Sequence, residues 1–332
     1  MSAELVTLVI PGRNAARTIR TCLDAVVPLL NQDGSRLAEI IFVNDGSTDD
    51  TASIVATYPV RCLTGPGGGP GAARNIGWKA AAHPLVWFID SDCVAQPDAL
   101  SLLLPHLDDS KVGGAGGSYG NMCPDSLLAC LIHEEIIQRH RSMPAEVNFL
   151  GGFNVLYRKA ILEQVGGFDE HRYNGPGSPG AEDAELAYRV HEAGHLLRFE
   201  PRSIVRHFHP TRLTRYLRAQ RHHGYWRVFL HMRHRSKAAG DAYSDLIDHA
   251  QPAVAMLTLA SLVFLFIPGL NRLPHLLAII LLLMQFPRTI RLTTATQQAK
   301  YLWYAPFGFL RAFWRGIGMT QGVLAYFFAG VR

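Results

Sequence analysis

Asp90 and Asp92 stand two residues apart in FIDSD (88–92), directly after the apolar run LVWFI. Two carboxylates so spaced at a strand end can share a hard divalent cation, and such a cation neutralises a departing diphosphate. A second acidic pair, Glu182-Asp183, opens GAEDAELAYR (180–189) after the glycine-rich run Gly175 to Gly180. A helix N-terminus favours ionised carboxylates, so this pair is either ordinary helix-end charge or a held base. His207 and His209 lie in SIVRHFHP. A spacing of two on a strand points both imidazoles to one face, as a structural pair or as further metal ligands. Asp45, in NDGSTD, either accepts bonds from a base or ribose or caps the following helix. Residues 65–71 (GPGGGPG) let backbone approach a ligand closely. Their order is neither GxxxxGK[ST] nor GxGxxG, which sets aside a kinase or dinucleotide reading. Arg74 and Asn75 follow at once, and Arg74 either meets a ligand or pairs with a carboxylate in a structural role.

These residues need a frame. LVTLVI (5–10), EIIFVND (39–45) and PLVWFIDSD (84–92) read as buried parallel strands, each ending in a polar turn. Helical patterns follow them at Thr18 to Leu30, at Ser47 to Thr57 and at Ala72 to Ala82. Ser47 or Thr48 is placed to cap the second, with Asp49 and Asp50 in its first turn. Strand–helix alternation predicts an α/β sheet, whose ligands sit beyond the strands' carboxyl ends. Asn14, Asp45, Asp90 and Asp92 all fall there.

The chain has 332 residues, enough for one large domain or two ordinary ones. Only 18% are charged, against about 25% in soluble domains, which excludes a disordered chain and points to membrane contact. The formal charge of +5 suits an anionic nucleotide or lipid surface better than nucleic acid. The five cysteines form no CxxC, so they read as reduced packing residues in a cytoplasmic compartment. No charged n-region precedes an apolar run at the start, so no cleavable signal peptide is expected.

Residues 211–250 are rich in Arg and His interleaved with aromatics and predict a basic amphipathic linker at a membrane surface. The run 252–270 has no charged residue. After Asn271-Arg272 comes LPHLLAIILLLMQF, which needs Thr289 to Thr294 to reach spanning length. Arg227, Arg233, Arg235 and Lys237 precede this pair, and Arg288, Arg291 and Lys300 follow it. The positive-inside rule then makes both ends cytoplasmic, giving a transmembrane or re-entrant hairpin over 251–294. A pair of buried soluble helices is the alternative. The apolar tail, 295–332, carries Arg311 and Arg315 one turn apart. It reads as an interfacial helix whose arginines meet phosphate head groups, or as a third span.

The ordered set IPGRN (10–14), VNDGSTDDT (43–51), GPGGGPGAARNIG (65–77), FIDSD, GGFDE (166–170) and GAEDAELAYR resembles family 2 glycosyltransferases of the GT-A fold, over about residues 4–210. The local patterns are similar to bacterial membrane-attached members. The resemblance implies a Rossmann-like α/β domain over 1–210, with a mostly parallel central sheet, followed by C-terminal membrane helices. It implies Mn²⁺ or Mg²⁺ held by Asp92, with Asp90 nearer the donor ribose, and a histidine completing the site, His207 before His209. It places Asp45 on the nucleotide base with Pro11, Arg13 and Asn14 around it, and Ser91, Arg74 and Asn75 beside the donor sugar and pyrophosphate. It assigns the base to Asp183, with Glu182 as neighbour or acceptor ligand. Gly152, Phe153 and Asn154 would floor the acceptor site, with Phe153 stacking on a sugar or simply packing.

Two departures stand out. Ala15 replaces an acidic residue common after the Asn of PxxN, and Gly12-Arg13 replaces a more usual aromatic pattern. In QRHHGYW (220–226), His223 and Gly224 stand where QxxRW of processive synthases has Arg and Trp, which disfavours polymer export. Arg221 and His222 then close over the pyrophosphate or face anionic lipid. The expected activity is inverting, metal-dependent transfer of one sugar, UDP-sugars ranked first, to a lipid-linked or cell-surface glycan acceptor. The expected place is the cytoplasmic face of the inner or plasma membrane. A polyprenyl-phosphate sugar synthase, a nucleotidyltransferase and a non-catalytic sugar-nucleotide-binding scaffold are the alternatives.

Overall fold

A computed structural model describes residues 4–32, 34–170, 180–237, 241–244 and 246–328. The glycine-rich run before Glu182 lies outside them except for Gly180. The strands are β1 (Val6–Gly12), β2 (Leu37–Asn44), β3 (Arg61–Thr64), β4 (Leu85–Ile89), β5 (Cys93–Ala95), β6 (Val112–Asn121), β7 (Glu146–Val147), β8 (Asn154–Arg158) and β9 (Leu196–His207). The helices are α1 (Ile19–Val26), α2 (Thr51–Val55), α3 (Pro70–Ala80), α4 (Ala99–Leu103), α5 (Leu127–Ser142), α6 (Lys159–Val165), α7 (Glu182–Glu192), α8 (Leu213–Arg233), α9 (Leu246–Ser261), α10 (Leu273–Leu283), α11 (Phe286–Thr296) and α12 (Tyr304–Phe328).

The chain divides into two compact units, Met1–Met122 with His140–His209, and Cys123–Arg139 with Pro210–Arg332. The single 1–210 domain read from sequence thus loses residues 123–139. The physical reason is that Glu135 and Arg139 pair with Asp248, Arg288 and Arg311 of the second unit.

The first unit holds one sheet of order β3-β2-β1-β4-β8-β6-β9-β5, with β7 on β9. Strands β1 to β4 are mutually parallel, as the apolar runs predict. The far half departs from the mostly parallel expectation, because β8 lies antiparallel to both β4 and β6. This inversion has a use. Ile89 pairs with Asn154, so the start of β8 meets the carboxyl end of β4. β6 and β9 are parallel and end together at Asn121 and His207, and His207 also pairs with Cys93. The polar ends of four strands therefore collect at one edge.

α1 buries Ile19, Cys22, Leu23 and Val26 at helical spacing against this sheet. The helix expected over Ser47–Thr57 shrinks to Thr51–Val55. Ser47 and Thr48 do not cap it. Ser47 Oγ accepts the Asn14 N–H at 3.0 Å, and the Thr48 N–H donates to Asn14 Oδ1 at 2.8 Å. Asp49 Oδ1 takes the Thr51 N–H instead, at 3.1 Å. α3 starts at Pro70, where the ring's fixed φ suits a first helical turn.

In the second unit α8 is amphipathic, with one packed face and exposed arginines on the other. It buries Tyr216, Leu217, Trp226, Val228, Phe229 and Leu230. A Cβ at Gly318 would overlap the Arg221 carbonyl, and one at Gly322 would overlap that of Tyr225. Phe229 and Tyr326 rings lie 5.7 Å apart. These partners advance by four together, so α8 and α12 run parallel at close approach, with glycines letting the backbones meet. Leu246–Phe266 and Leu273–Thr296 are long and apolar enough to cross a membrane. Thr289, Thr293 and Thr296 donate to carbonyls four residues back, which satisfies their hydroxyls inside the helix. Phe266 (89%) and Phe328 (82%) head a long set of exposed large apolar residues in this unit.

Arg311 corrects the sequence reading for one of the two tail arginines. Arg311 is 1% exposed and bonds to Glu135 and to Tyr304 Oη, so it meets no head group. Arg288, counted as a flanking charge, pairs with Glu135 and Asp248 at 3.1 and 2.9 Å.

Candidate active site

The site is built at the edge where β1, β2, β4, β6 and β9 end. Asp45 follows β2 and is 3% exposed. Its Oδ1 accepts the N–H groups of Gly67 and Gly68 at 2.9 and 3.1 Å, and its Oδ2 accepts that of Gly69 at 2.7 Å. Gly67 and Gly69 have φ of 84° and 92°, which only glycine adopts without strain. Asp45 thus folds the glycine loop, a use that neither sequence alternative named. Both its oxygens accept from the loop, so this carboxylate holds the glycine turn beside the place expected for the nucleotide. Pro11 is buried in β1, Ser91 sits over Gly12, and Arg13 is exposed with Nη1 near Gly67. Asn14 joins its own loop to Ser47 and Thr48.

Arg74, on α3, is 3% exposed and bridges two motifs. Nη1 donates to Glu182 Oε1 at 3.0 Å and Nη2 to Asp90 Oδ1 at 2.7 Å. Its guanidinium lies 5.4 Å from the Phe168 ring centre and packs on Gly152, where a Cβ would press on it. Burial pushes the Glu182 carboxyl up to about 7, the Asp183 charge adds to this, and Arg74 opposes it. Burial also raises Asp90, with Arg74 pulling it down and Asp92 pushing it up. Asp183 is half-buried. Its Oδ2 accepts the Gly152 N–H at 3.0 Å and its Oδ1 the Ala184 N–H at 2.8 Å, so the β8 approach fixes its direction.

Asp92 Oδ2 lies 3.3 Å from His207 Nε2, and His207 Nδ1 lies 3.0 Å from His209 Nδ1. Ligand atoms of Asp92, Cys93 and His207 all lie within 4.8 Å of one another. A carboxylate and an imidazole facing each other, with Asp90 two residues off, are a donor set fit for a divalent cation. Burial pushes the Cys93 thiol up, so it packs as a thiol.

Three predicted residues make contacts within the frame. Asn75 uses its whole amide on Phe168, Glu170 and Trp78, pinning the GGFDE turn. Asn154 accepts from Trp87 Nε1 at 2.9 Å and donates to Ser203, so it is a strut between β4, β8 and β9. Phe153 stacks on Tyr119 with ring centres 3.5 Å apart, so that face is already covered. Tyr119 was missed by sequence reasoning. It is half-buried, 5.1 Å from the His207 ring, and lies between the metal-type ligands and Phe153. Its only signal was a polar aromatic closing the glycine-rich run of β6.

Residues 7–166 match the family described as glycosyl transferase family 2. A pre-mycofactocin glycosyltransferase of Mycobacterium tuberculosis is 29% identical over 245 residues, 70% of this chain and 49% of that protein. A probable glycosyltransferase of Bacillus subtilis, YdaM, is 30% identical over 217 residues, 60% of this chain and 50% of its own length. The chain spans about half the length of these relatives. The fold is similar to a mannosyltransferase from Pyrobaculum calidifontis, solved with GDP-Man and Mn²⁺, with TM-score 0.60 and 19% identity over 96% of this chain and 87% of that one. On the motif order, the edge these motifs share and the match over 7–166, the first unit carries a family 2 glycosyltransferase domain with the GT-A fold.

Proposed function

We propose that this chain transfers one sugar, with inversion, from a nucleotide-diphospho-sugar to a hydroxyl of a lipid-linked or glycan acceptor at a membrane surface. The observation that carries the reading is the Arg74 bridge, which ties donor-side Asp90 to acceptor-side Glu182 beside Asp183. Asp92 and His207, with Asp90, would hold a Mn²⁺ or Mg²⁺ ion. When bound, that ion supplies positive charge to offset the departing diphosphate. The glycine loop shaped by Asp45 offers close backbone approach to the donor. Asp183, aimed by the Gly152 N–H, takes the acceptor hydroxyl proton as the oxygen attacks C1. The new O–C1 bond forms as the C1–O bond to phosphate breaks, and the electron pair leaves on the nucleoside diphosphate. The mannosyltransferase of similar fold, held with GDP-Man and Mn²⁺, supports donor and metal class. We rank UDP-sugars first.

The two apolar segments, the exposed Arg212 just before α8 and the exposed Arg215, Arg218 and Arg221 on it support membrane attachment. In this reading both ends of the hairpin and the first unit face the cytoplasm. The test is nucleoside diphosphate release by the detergent-purified chain. UDP-, GDP- and dTDP-sugars are supplied with membrane lipid, with and without Mn²⁺, beside Asp183→Asn. Mn²⁺-dependent release on one donor, lost in the variant and raised by lipid, is expected. Nucleotide binding without release on any donor would overturn the reading in favour of a non-catalytic binder.

A further inference from the structure

Two arginines at the α8–α12 seam are held reciprocally. Arg315 of α12 donates through Nε to Gln220 Oε1 of α8 at 2.6 Å. Arg221 of α8 donates through Nε to Gln321 Oε1 of α12 at 2.8 Å. Each guanidinium is fixed at one nitrogen by a neutral acceptor, which orients it without cancelling its charge. Neither pairs with a carboxylate among the described residues. The nearby buried carboxylates, Glu135 and Asp248, are taken up by Arg139, Arg288 and Arg311.

Because the helices run parallel, Gln220 faces Arg315 while Arg221 faces Gly318. The backbone positions that carry the two forks therefore lie within about one helical turn along the seam. A guanidinium fixed at Nε still presents two Nη groups, a geometry that matches two oxygens of a phosphate. Arg315 is half-buried, where a cation without a counter-ion is costly. Arg212, Arg215 and Arg218 continue the positive surface along α8. The same unit exposes apolar side chains on the scale of a membrane segment, so a lipid is the phosphate source at hand.

We infer that the α8–α12 seam binds the phosphate group of a membrane lipid, with Arg315 and Arg221 as the forks and Gln220 and Gln321 as their tethers. This stands apart from the transfer reading and does not depend on it.

The test uses the full chain in detergent, with lipid retention read by native mass spectrometry. Phosphatidic acid is the phosphate probe, stearate the carboxylate probe, and inorganic phosphate the competitor. Wild type should retain phosphatidic acid over stearate by about tenfold. Arg221→Gln/Arg315→Gln should lose that preference, while Arg212→Gln/Arg215→Gln should weaken both lipids alike and keep it. If the double variant fails to fold, Arg221→Gln alone, at an exposed position, should lower the preference. Equal retention of the two lipids, or an unaffected Arg221 variant, overturns the proposal. Displacement by millimolar inorganic phosphate overturns the lipid as source and leaves a free-phosphate site.

Discussion

Replacing Arg74 by glutamine removes a cation that Glu182 and Asp90 share. Arg74 is 3% exposed and reaches them at 3.0 and 2.7 Å, so no water substitutes easily for it. Breaking a buried pair from one side costs about 3–5 kcal/mol, because the remaining charge stays buried. Part of that cost can be relieved by proton uptake. Glu182 already stands at about 7 against 4.5, mainly through burial, which costs its ionised form about 3 kcal/mol. Without Arg74, which pulls it down, it rises further. The sign follows from linkage. A carboxylate raised in the folded state binds more protons there, so stability is lost as pH rises from the unfolded pKa through the folded one. In wild type that loss is complete near pH 7. In Arg74→Gln it continues upward, so the gap between the proteins widens by up to about 1.4 kcal/mol per pH unit above 7. Thermal unfolding of the full chain at pH 6 and pH 8 measures this, and diphosphate release measures function. Misplacing the two carboxylates by about 1 Å should cost ~100-fold in turnover. Arg74→Lys should recover little, since a single ammonium lacks the fork that spans both acceptors. A loss of Tm equal at both pH values, or wild-type turnover, would refute the bridge.

Asp45→Asn places an amide donor against one of the three loop N–H groups. It should cost about 1–3 kcal/mol in stability and raise the donor KM more than it lowers kcat. An unchanged KM would show that the loop keeps its shape without the carboxylate. His207→Ala should weaken Mn²⁺ binding by about tenfold or more in calorimetric titration, and equal affinity would remove it from the metal site. Gly318→Leu should force α8 from α12 and cost about 1–3 kcal/mol or more, seen as a lower Tm in detergent. A stable Gly318→Leu would contradict the close parallel approach.

Strand-forming runs and the polar turns behind them were legible because β-branched stretches ending in Asn, Asp or Gly carry their own signal. The order of the motifs located the edge where Asp90, Asp92, Glu182, Asp183 and His207 meet. Three things were not legible. The antiparallel direction of β8 depends on pairing Ile89 with Asn154, a contact between segments 65 residues apart in sequence. The use of Asn75, Asn154 and Asp45 inside the frame was hidden because a polar residue near a site reads alike whether it faces ligand or backbone. The burial of Arg311 was hidden because its partner Glu135 lies on α5, far away in sequence. A charge in an apolar tail reads as a surface charge until its counter-ion is found.

The acidic residues at this edge divide by burial into two kinds of work. Asp45 is 3% exposed and spends its charge on three backbone amides, and Glu182 is 6% exposed and spends its charge on Arg74. The Asp92 side chain is 36% exposed and faces an imidazole. Asp183 is half-buried and, among the described residues, is held by the amides of Gly152 and Ala184. A charge already offset by a buried partner changes little when substrate arrives. A partly solvated carboxylate exchanges water for ligand, so its interaction can grow as charge develops in the reaction. The buried pair therefore sets distances between loop, α3 and α7, and under the proposed function the partly solvated pair is left to the chemistry. That division assigns opposite kinetic signatures to neighbouring carboxylates. Loss of Asp45 acts through donor affinity and stability, while loss of Asp183 acts on turnover with the fold intact.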